Sequence, residues 1–303
     1  MFERILAKKL KEALSDTPIV MVVGARQTGK STLALQSINS NYKPQYLTLD
    51  DPLLLNSAKS NPTAFLENFP TPLIIDEIQR VPELFLPLKL KIDRERKAGS
   101  YLLTGSANVL NLPKVADSLA GRIEILHLQT LSQNEIEGTK TNFIDEICVE
   151  NYQMPPAKTH ENREDLFRRM LVGGYPEVVG RKTEKRREAW FDSYILTILQ
   201  RDLRDLANIE GLTDLPRLLK MLATRAGSLL NFAEISRSIG YPQTTLKRYV
   251  ALLENIFLFE MLPAWSGNLS KRLTRTPKLF FADTGLLAHL QNLTWSKIQI
   301  DST

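Results

Sequence analysis

The stretch Gly24-Ala25-Arg26-Gln27-Thr28-Gly29-Lys30-Ser31 fits G-x-x-x-x-G-K-[ST] at every fixed position. Glycines at that spacing let successive backbone N–H groups converge on phosphate oxygens, and the helix that follows adds its partial positive charge. Lys30 is expected to reach the β- and γ-phosphates of ATP or ADP and Ser31 to ligate Mg²⁺, with Ala25, Arg26, Gln27, Thr28 and Thr32 completing the cradle. Further on, the apolar Leu73-Ile74-Ile75 runs straight into Asp76-Glu77. A strand that delivers two acids to its C-terminal end suits phosphoanhydride chemistry. Asp76 is the acid on the Mg²⁺ side, and Glu77 is the base that orients water toward the γ-phosphate. Ser106 follows a third apolar run, Tyr101-Leu102-Leu103-Thr104-Gly105, and is the first choice for a hydroxyl that bonds the γ-phosphate or the water; Thr104 is the second. Arg122 closes Ser118-Leu119-Ala120-Gly121-Arg122 and is a candidate for stabilising transition-state charge, in its own site or a neighbour's; a plain surface arginine fits the same residues.

These groups need a scaffold that brings strand ends together. Ile19-Val20-Met21-Val22-Val23 is a short β-rich run before the glycine loop, and Thr32-Leu33-Ala34-Leu35-Gln36 reads as the helix after it. Strand, loop and helix in that order are the context a phosphate loop requires. Further strands are expected at 45–49, 72–75, 100–104 and 123–128, alternating with helices in an α/β, P-loop NTPase arrangement: a parallel sheet with helices on both faces. Ligands bind such sheets at the C-terminal ends of the strands. Phe2, Ile5, Leu6, Leu10 and Ala13 fall on one helical face, so the first segment packs on this domain.

The 303 residues, 43% hydrophobic and 24% charged, exclude disorder, collagen-like repeats and coiled coil as the main architecture and allow about two domains. No apolar stretch approaches the roughly 18 residues of a membrane span. A cytoplasmic protein with no membrane partner is expected. A lone cysteine, Cys148, leaves no intrachain disulfide. Charge is uneven: basic against acidic residues number 17 to 16 over residues 1–145, 2 to 5 over 146–165, and 20 to 13 over 166–303. The basic excess therefore lies in the C-terminal part, where nucleic acid, an acidic protein, a membrane surface or a plain solvated face would all account for it. The expected organisation is an ATPase domain at 1–145, a linker at 146–165, a helical lid region at 166–225, and a winged-helix region with an incomplete C-terminal domain at 226–303.

The glycine loop, the Leu73 to Pro82 stretch, Leu102 to Ser106 and Ser118 to Arg122 together resemble the prokaryotic AAA-type (AAA+) P-loop ATPases that carry a C-terminal domain of unknown function. That group contains a winged helix and is related to STAND and archaeal Orc-like ATPases. The resemblance continues through Gly173 to Glu177 and Pro277 to Gly285. It implies a Walker A lysine at Lys30, a Walker B pair at Asp76 and Glu77, and a sensor at Ser106. Related signalling ATPases close a Gly-x-Pro element over the nucleotide, and Gly174-Tyr175-Pro176 matches it, so Tyr175 and Pro176 are expected near the nucleotide; a tight turn explains the same residues. The resemblance also implies a nuclease-like fold beyond the Asp-Thr-Gly segment. This sequence stops at Ile300-Asp301-Ser302-Thr303, so a shortened or truncated member without nuclease activity is expected.

Helical spacing at Leu166, Phe167, Met170 and Leu171, and again at Trp190, Tyr194, Ile195, Ile198 and Leu199, predicts packed helices after the linker. The alternation at Arg201 to Asp205 reads as a solvated salt-bridged face. A helix from about Asn231, a break at Gly240-Tyr241-Pro242, a second helix from Gln243 to Leu253 and a strand at Ile256 to Phe259 predict a winged helix-turn-helix. In a reader of duplex DNA, Gln243, Thr244, Lys247 and Arg248 would face the groove, with Lys271, Arg272 and Arg275 near phosphates. Asp283, five residues after Lys278, lacks a second positioned carboxylate and reads as structural. The resulting expectation is an ATP hydrolase using ATP/ADP and Mg²⁺, coupled to DNA through the winged helix. The alternative is a nucleotide-controlled switch on a protein partner; a small-molecule kinase ranks last. A homo-oligomer fits if Arg122 acts across subunits.

Overall fold

The computed structural model describes residues 2–39, 41–107, 119–139, 147–148, 162–202, 214–268 and 275–300. In the first part, α1 (Leu6–Asp16) leads to β1 (Ile19–Val23), α2 (Lys30–Gln36) and β2 (Gln45–Thr48). Next come α3 (Pro52–Ser60), α4 (Pro62–Glu67), β3 (Leu73–Asp76), two 3₁₀ turns, α5 (Phe85–Arg94), β4 (Tyr101–Gly105), β5 (Ile123–His127) and α6 (Gln133–Glu137). The five strands form one parallel sheet in the order β2-β3-β4-β1-β5.

Alternation along the strands assigns each residue to a face. Ile19, Met21, Leu73, Ile75, Tyr101 and Leu103 pack with Phe65, Leu88 and Ile92 from α4 and α5. Val20, Val22, Ile74 and Leu102 turn the other way, onto Leu10 and Ala13 of α1 and Leu33 and Ala34 of α2. Both faces are thus covered, as a parallel sheet of near-continuous apolar strands requires. Local signals start the helices. Asp51 accepts from Leu53 N and Leu54 N ahead of α3, and Ser132 with Glu135 closes a capping box on α6.

The second part is mainly helical: α7 (Arg163–Val172), α8 (Pro176–Val179), α9 (Glu184–Thr197) running on as a π-helical turn (Ile198–Asp202), and α10 (Leu215–Ala223). After these come α11 (Phe232–Ile239), α12 (Gln243–Asn255), the strands β6 (Phe259–Leu262) and β7 (Lys278–Phe281), then α13 (Thr284–Leu290) and α14 (Trp295–Ile300). β6 and β7 pair antiparallel, and Leu229 bridges to Lys278. Tyr175, Trp190, Phe191, Leu218, Leu246, Leu253, Phe259 and Leu286 share one core.

Two expectations shift. Asn162 caps α7 in a capping box with Asp165, so the helix begins inside the stretch expected to be linker. The strand expected from Ile256 starts at Phe259 instead; the chain leaves α12 through a tight turn, with Phe257 at φ 60°. That turn sends Phe257 away from its own helices and into the core beside β1, where its ring meets His127 edge-on at 5.7 Å. Asn108, Ser118, Leu203 to Asp205, Lys271, Arg272 and the last three residues lie outside the described residues.

Candidate nucleotide site

The loop after β1 opens at the C-terminal edge of the sheet, between a central strand and α2. Gly29 sits at φ 97°, a backbone region that favours glycine, immediately before Lys30 starts the helix. Ala25 O collects two bonds within the loop, from Thr28 Oγ1 and from Lys30 Nζ, both at 2.9 Å. Lys30 is buried, which is unusual for a lysine and places its ammonium within the loop rather than in solvent.

Register explains how the acids arrive. β3 pairs with β4 and β2, so Asp76, the last residue of β3, ends level with Thr48 and next to the loop. Ser31 Oγ donates to Asp76 Oδ1 at 2.8 Å, and the Thr104 hydroxyl donates to the same oxygen. Tyr46 Oη donates to Oδ2 at 2.9 Å, with Thr48 Oγ1 at 3.5 Å. The Asp76 carboxylate is therefore ringed by four hydroxyls from two strands, β2 and β4, and from α2. Burial first, and then the adjacent Asp76 charge, push the Tyr46 phenol well above its ordinary value, so it stays a donor.

Glu77 follows at φ 60° and leaves the strand direction, its backbone N–H on Thr104 Oγ1 at 3.1 Å. Its Oε2 accepts from Ser106 Oγ at 3.1 Å and from the Gln79 amide. Gln79 in turn donates to Ser106 Oγ at 2.9 Å and accepts from Ser106 N at 3.3 Å. Glu77, Gln79 and Ser106 form a closed triangle at the tips of β3 and β4. Lys30, Ser31, Asp76, Glu77, Thr104 and Ser106 are thus gathered on one edge.

Arg122 is not among them. It immediately precedes β5, at the N-terminal edge of a parallel sheet, while the glycine loop follows β1 at the opposite edge. There its Nε and Nη2 hold Asp93 at 2.6 and 3.1 Å. That exposed pair draws the Asp93 carboxyl below its usual range, chiefly through the hydrogen bond from Arg122. A contribution of Arg122 to the site of its own chain is corrected by this position.

Tyr175 is also placed differently from expectation. Its side chain is fully buried against Trp190, Phe191 and Tyr194, with ring centroids 5.1, 6.2 and 4.9 Å away, so it cannot lie on a nucleotide. Its hydroxyl lies 2.8 Å from that of Tyr194, and Tyr194 donates to Arg26 O in the glycine loop at 3.1 Å. The aromatic cluster thus reaches the loop through Tyr194. Pro176 opens α8, half-buried, as a helix N1 residue. Gly174 allows close approach: a Cβ there would overlap the Leu131 carbonyl, and Leu131 N donates to Gly174 O at 2.7 Å.

Asp283 is structural, as expected. It is buried, caps α13 through Leu286 N at 2.8 Å and accepts from Gly174 N at 2.7 Å. Burial pushes its carboxyl up, against the pull of those donors. Among the described residues no group of three His, Cys, Asp or Glu side chains could hold a metal ion. The oxygen donors of Ser31 and Asp76 still suit a hard cation such as Mg²⁺, which binds few protein ligands and keeps waters and phosphate oxygens.

On α12, Gln243, Thr244, Lys247 and Arg248 are exposed, while Leu246, Tyr249, Val250 and Leu253 are buried. No helix of the described residues is long and apolar enough to cross a membrane. Sequence reasoning missed Tyr46, Thr48, Gln79 and Tyr194. Only Tyr46 and Thr48 left a signal, as alternate residues on the strand flanking the acids.

Comparison with known proteins matches residues 16–137 to an AAA domain family and residues 163–297 to a domain of unknown function, DUF8612. Uncharacterised proteins of Mycobacterium bovis and Mycobacterium tuberculosis are each 31% identical over 288 residues, covering 95% of this chain and 59% of theirs. The chain thus spans little more than half the length of these relatives. An uncharacterised Haemophilus influenzae protein is 25% identical over 299 residues, 90% of this chain and 70% of that protein. Among solved structures, a STAND ATPase with a tetratricopeptide repeat sensor from Pyrococcus horikoshii aligns at TM-score 0.33 and 14% identity, over 98% of this chain and 45% of that one. Drosophila ORC bound to AT-rich DNA and Cdc6 aligns at TM-score 0.25 and 10% identity, over 98% and 91%.

Proposed function

We propose that this chain, whose first part is an AAA-type P-loop domain, binds ATP with Mg²⁺, hydrolyses it to ADP and phosphate, and passes its nucleotide state to the helical part. The observation that carries the reading is the Glu77 carboxylate, bonded in a triangle with Gln79 and Ser106 on the sheet edge that holds Lys30 and the Ser31–Asp76 pair. Backbone N–H groups of the glycine loop bind the phosphates, and Lys30 offsets their charge. Glu77 fixes the water for in-line attack on the γ-phosphorus, and Ser106 holds the carboxylate in place. Mg²⁺, held through Ser31 and the Asp76 side of the site, would supply charge neutralisation across the β- and γ-phosphates. The test is phosphate release from Mg-ATP. Wild type turns over, Lys30→Ala loses nucleotide binding, and Glu77→Gln binds but does not turn over; a wild type that fails to bind MgADP or MgATP would sink the reading.

A second reading rests on a separate observation, the exposed Gln243, Thr244, Lys247 and Arg248 on a helix followed by an antiparallel ribbon. We infer a winged helix that touches duplex DNA through α12. Binding should weaken steeply with salt and with Lys247→Ala plus Arg248→Ala. Turnover that ignores DNA, with no measurable duplex binding at low salt, would leave the protein-directed switch instead.

A further inference from the structure

Arg4 lies ahead of α1, far in sequence from every motif, yet only 7% of it is exposed. Its guanidinium makes three bonds in three directions. Nη1 donates to Thr28 O in the glycine loop at 2.6 Å, Nη2 to Gln129 O at 2.6 Å, and Nε to Glu135 Oε1 at 3.0 Å. Glu135 is fixed independently, since it accepts from Ile5 N at 2.7 Å and from Ser132 N at 3.0 Å while capping α6. The cation is thus anchored on one side by a buried carboxylate, and its free edge is aimed at the loop.

Peptide geometry gives that bond its consequence. The Thr28–Gly29 peptide is planar and trans, so a carbonyl held toward Arg4 forces the Gly29 N–H to point the opposite way. At φ 97° Gly29 has little intrinsic preference to hold that orientation by itself. A Cβ on Gly29 would meet Arg4 Nη1 at 3.6 Å, an ordinary contact, so it is the backbone at φ 97° that calls for glycine here.

We propose that Arg4 is a positioning residue of the nucleotide site: it locks the Thr28–Gly29 peptide so that the Gly29 N–H faces the phosphates. The inference rests on the nucleotide reading above and adds a residue that no motif includes. The second carbonyl makes it more than a local brace. Gln129 O belongs to the segment that runs from β5 to α6; the Gln129 side chain bonds Glu260 on β6 at 2.7 Å, and Leu131 two residues on bonds Gly174. One guanidinium therefore holds the phosphate loop and the segment that carries the helical part in a fixed relation.

The test compares wild type, Arg4→Lys, Glu135→Gln and the double variant Arg4→Met with Glu135→Gln, which avoids leaving either buried charge alone. Each is measured for its unfolding midpoint without nucleotide and for MgADP affinity by calorimetry. Arg4→Lys keeps the charge but not the three-way fork. Both Arg4 variants should fold and bind MgADP roughly tenfold or more weakly, the loss expected from one charge-assisted hydrogen bond. Glu135→Gln alone, with Arg4 still on Thr28 O, should stay within about threefold of wild type. Unchanged affinity in the Arg4 variants overturns the proposal, and so does an equal loss in Glu135→Gln, which would assign the effect to the α6 cap. Arg4 variants that cannot fold also overturn it, because the residue would then serve the fold and not the loop. Wild type that does not bind MgADP instead removes the nucleotide reading itself.

Discussion

At the nucleotide edge of the sheet, side chain meets side chain: Ser31, Thr104, Tyr46 and Thr48 converge on Asp76, and Gln79 and Ser106 on Glu77. Where the helical part meets that domain, side-chain pairs such as Gln129–Glu260 are joined by contacts that land on backbone. Tyr194 donates to Arg26 O, Thr130 Oγ1 to Ala282 O at 3.2 Å, and Leu131 N to Gly174 O. The difference shows what each region demands of the sequence. Chemistry requires particular functional groups at the edge. The joint requires space for two backbones to approach, and Gly174 supplies it against the Leu131 backbone.

The largest test of that contrast is Glu77→Gln. Turnover should fall by about 10²- to 10⁴-fold with nucleotide affinity and unfolding midpoint nearly unchanged, as loss of a positioned base predicts. Phosphate release set beside a calorimetric titration reads both quantities. At the joint the balance reverses. Gly174→Ala drives a Cβ into the Leu131 carbonyl, and stability should drop by about 3 kcal/mol, within the range for strain at a tight backbone contact. Denaturant melts would show it, and a neutral Gly174→Ala would mean the joint has room to spare.

Tyr194→Phe probes a place where the two rules meet, because its hydroxyl bonds both Tyr175 and the loop carbonyl of Arg26. Stability and MgADP affinity should each lose about 1 kcal/mol, the net worth of a buried hydrogen bond. A loss confined to stability would show that the aromatic cluster supports the joint without informing the loop.

The smallest effect belongs to the opposite edge of the sheet. The hydroxyls of Tyr42 and Tyr101 are buried with no hydrogen-bond partner among the described residues, and burial pushes both phenols up to about 12. Unfolded, they titrate near 10.0, so the unfolded chain sheds these protons first and stability declines as pH rises from about 10 to about 12. Replacing both by Phe should change stability at neutral pH by less than about 1 kcal/mol and flatten that alkaline decline, measured as midpoint against pH.

Much of the edge was legible because its residues sit at strand ends beside a motif with fixed spacing. Once β1 and β3 are parallel neighbours of β4, Ser31, Asp76 and Ser106 have nowhere else to be. Arg122 was misplaced although the same rule covers it, since a residue just before a parallel strand lies at the edge away from the loop. Tyr175 failed for another reason. A Gly-x-Pro turn gives no sign of whether its middle side chain points outward or inward, and three aromatic residues of α9 drew it into the core. Arg4 and Glu135 were invisible because their pairing spans 131 residues and follows only from tertiary packing.

Phe257 carries a consequence for folding. It belongs to the helical part in sequence, yet it joins the core cluster of the sheet that holds Met21, Tyr101 and Leu103, while Ala107, just after β4, packs in the core of the helices. Each core is therefore finished by a side chain that the other part must first put in place. The two regions should melt in a single cooperative transition, and either one expressed alone should expose an apolar socket and aggregate.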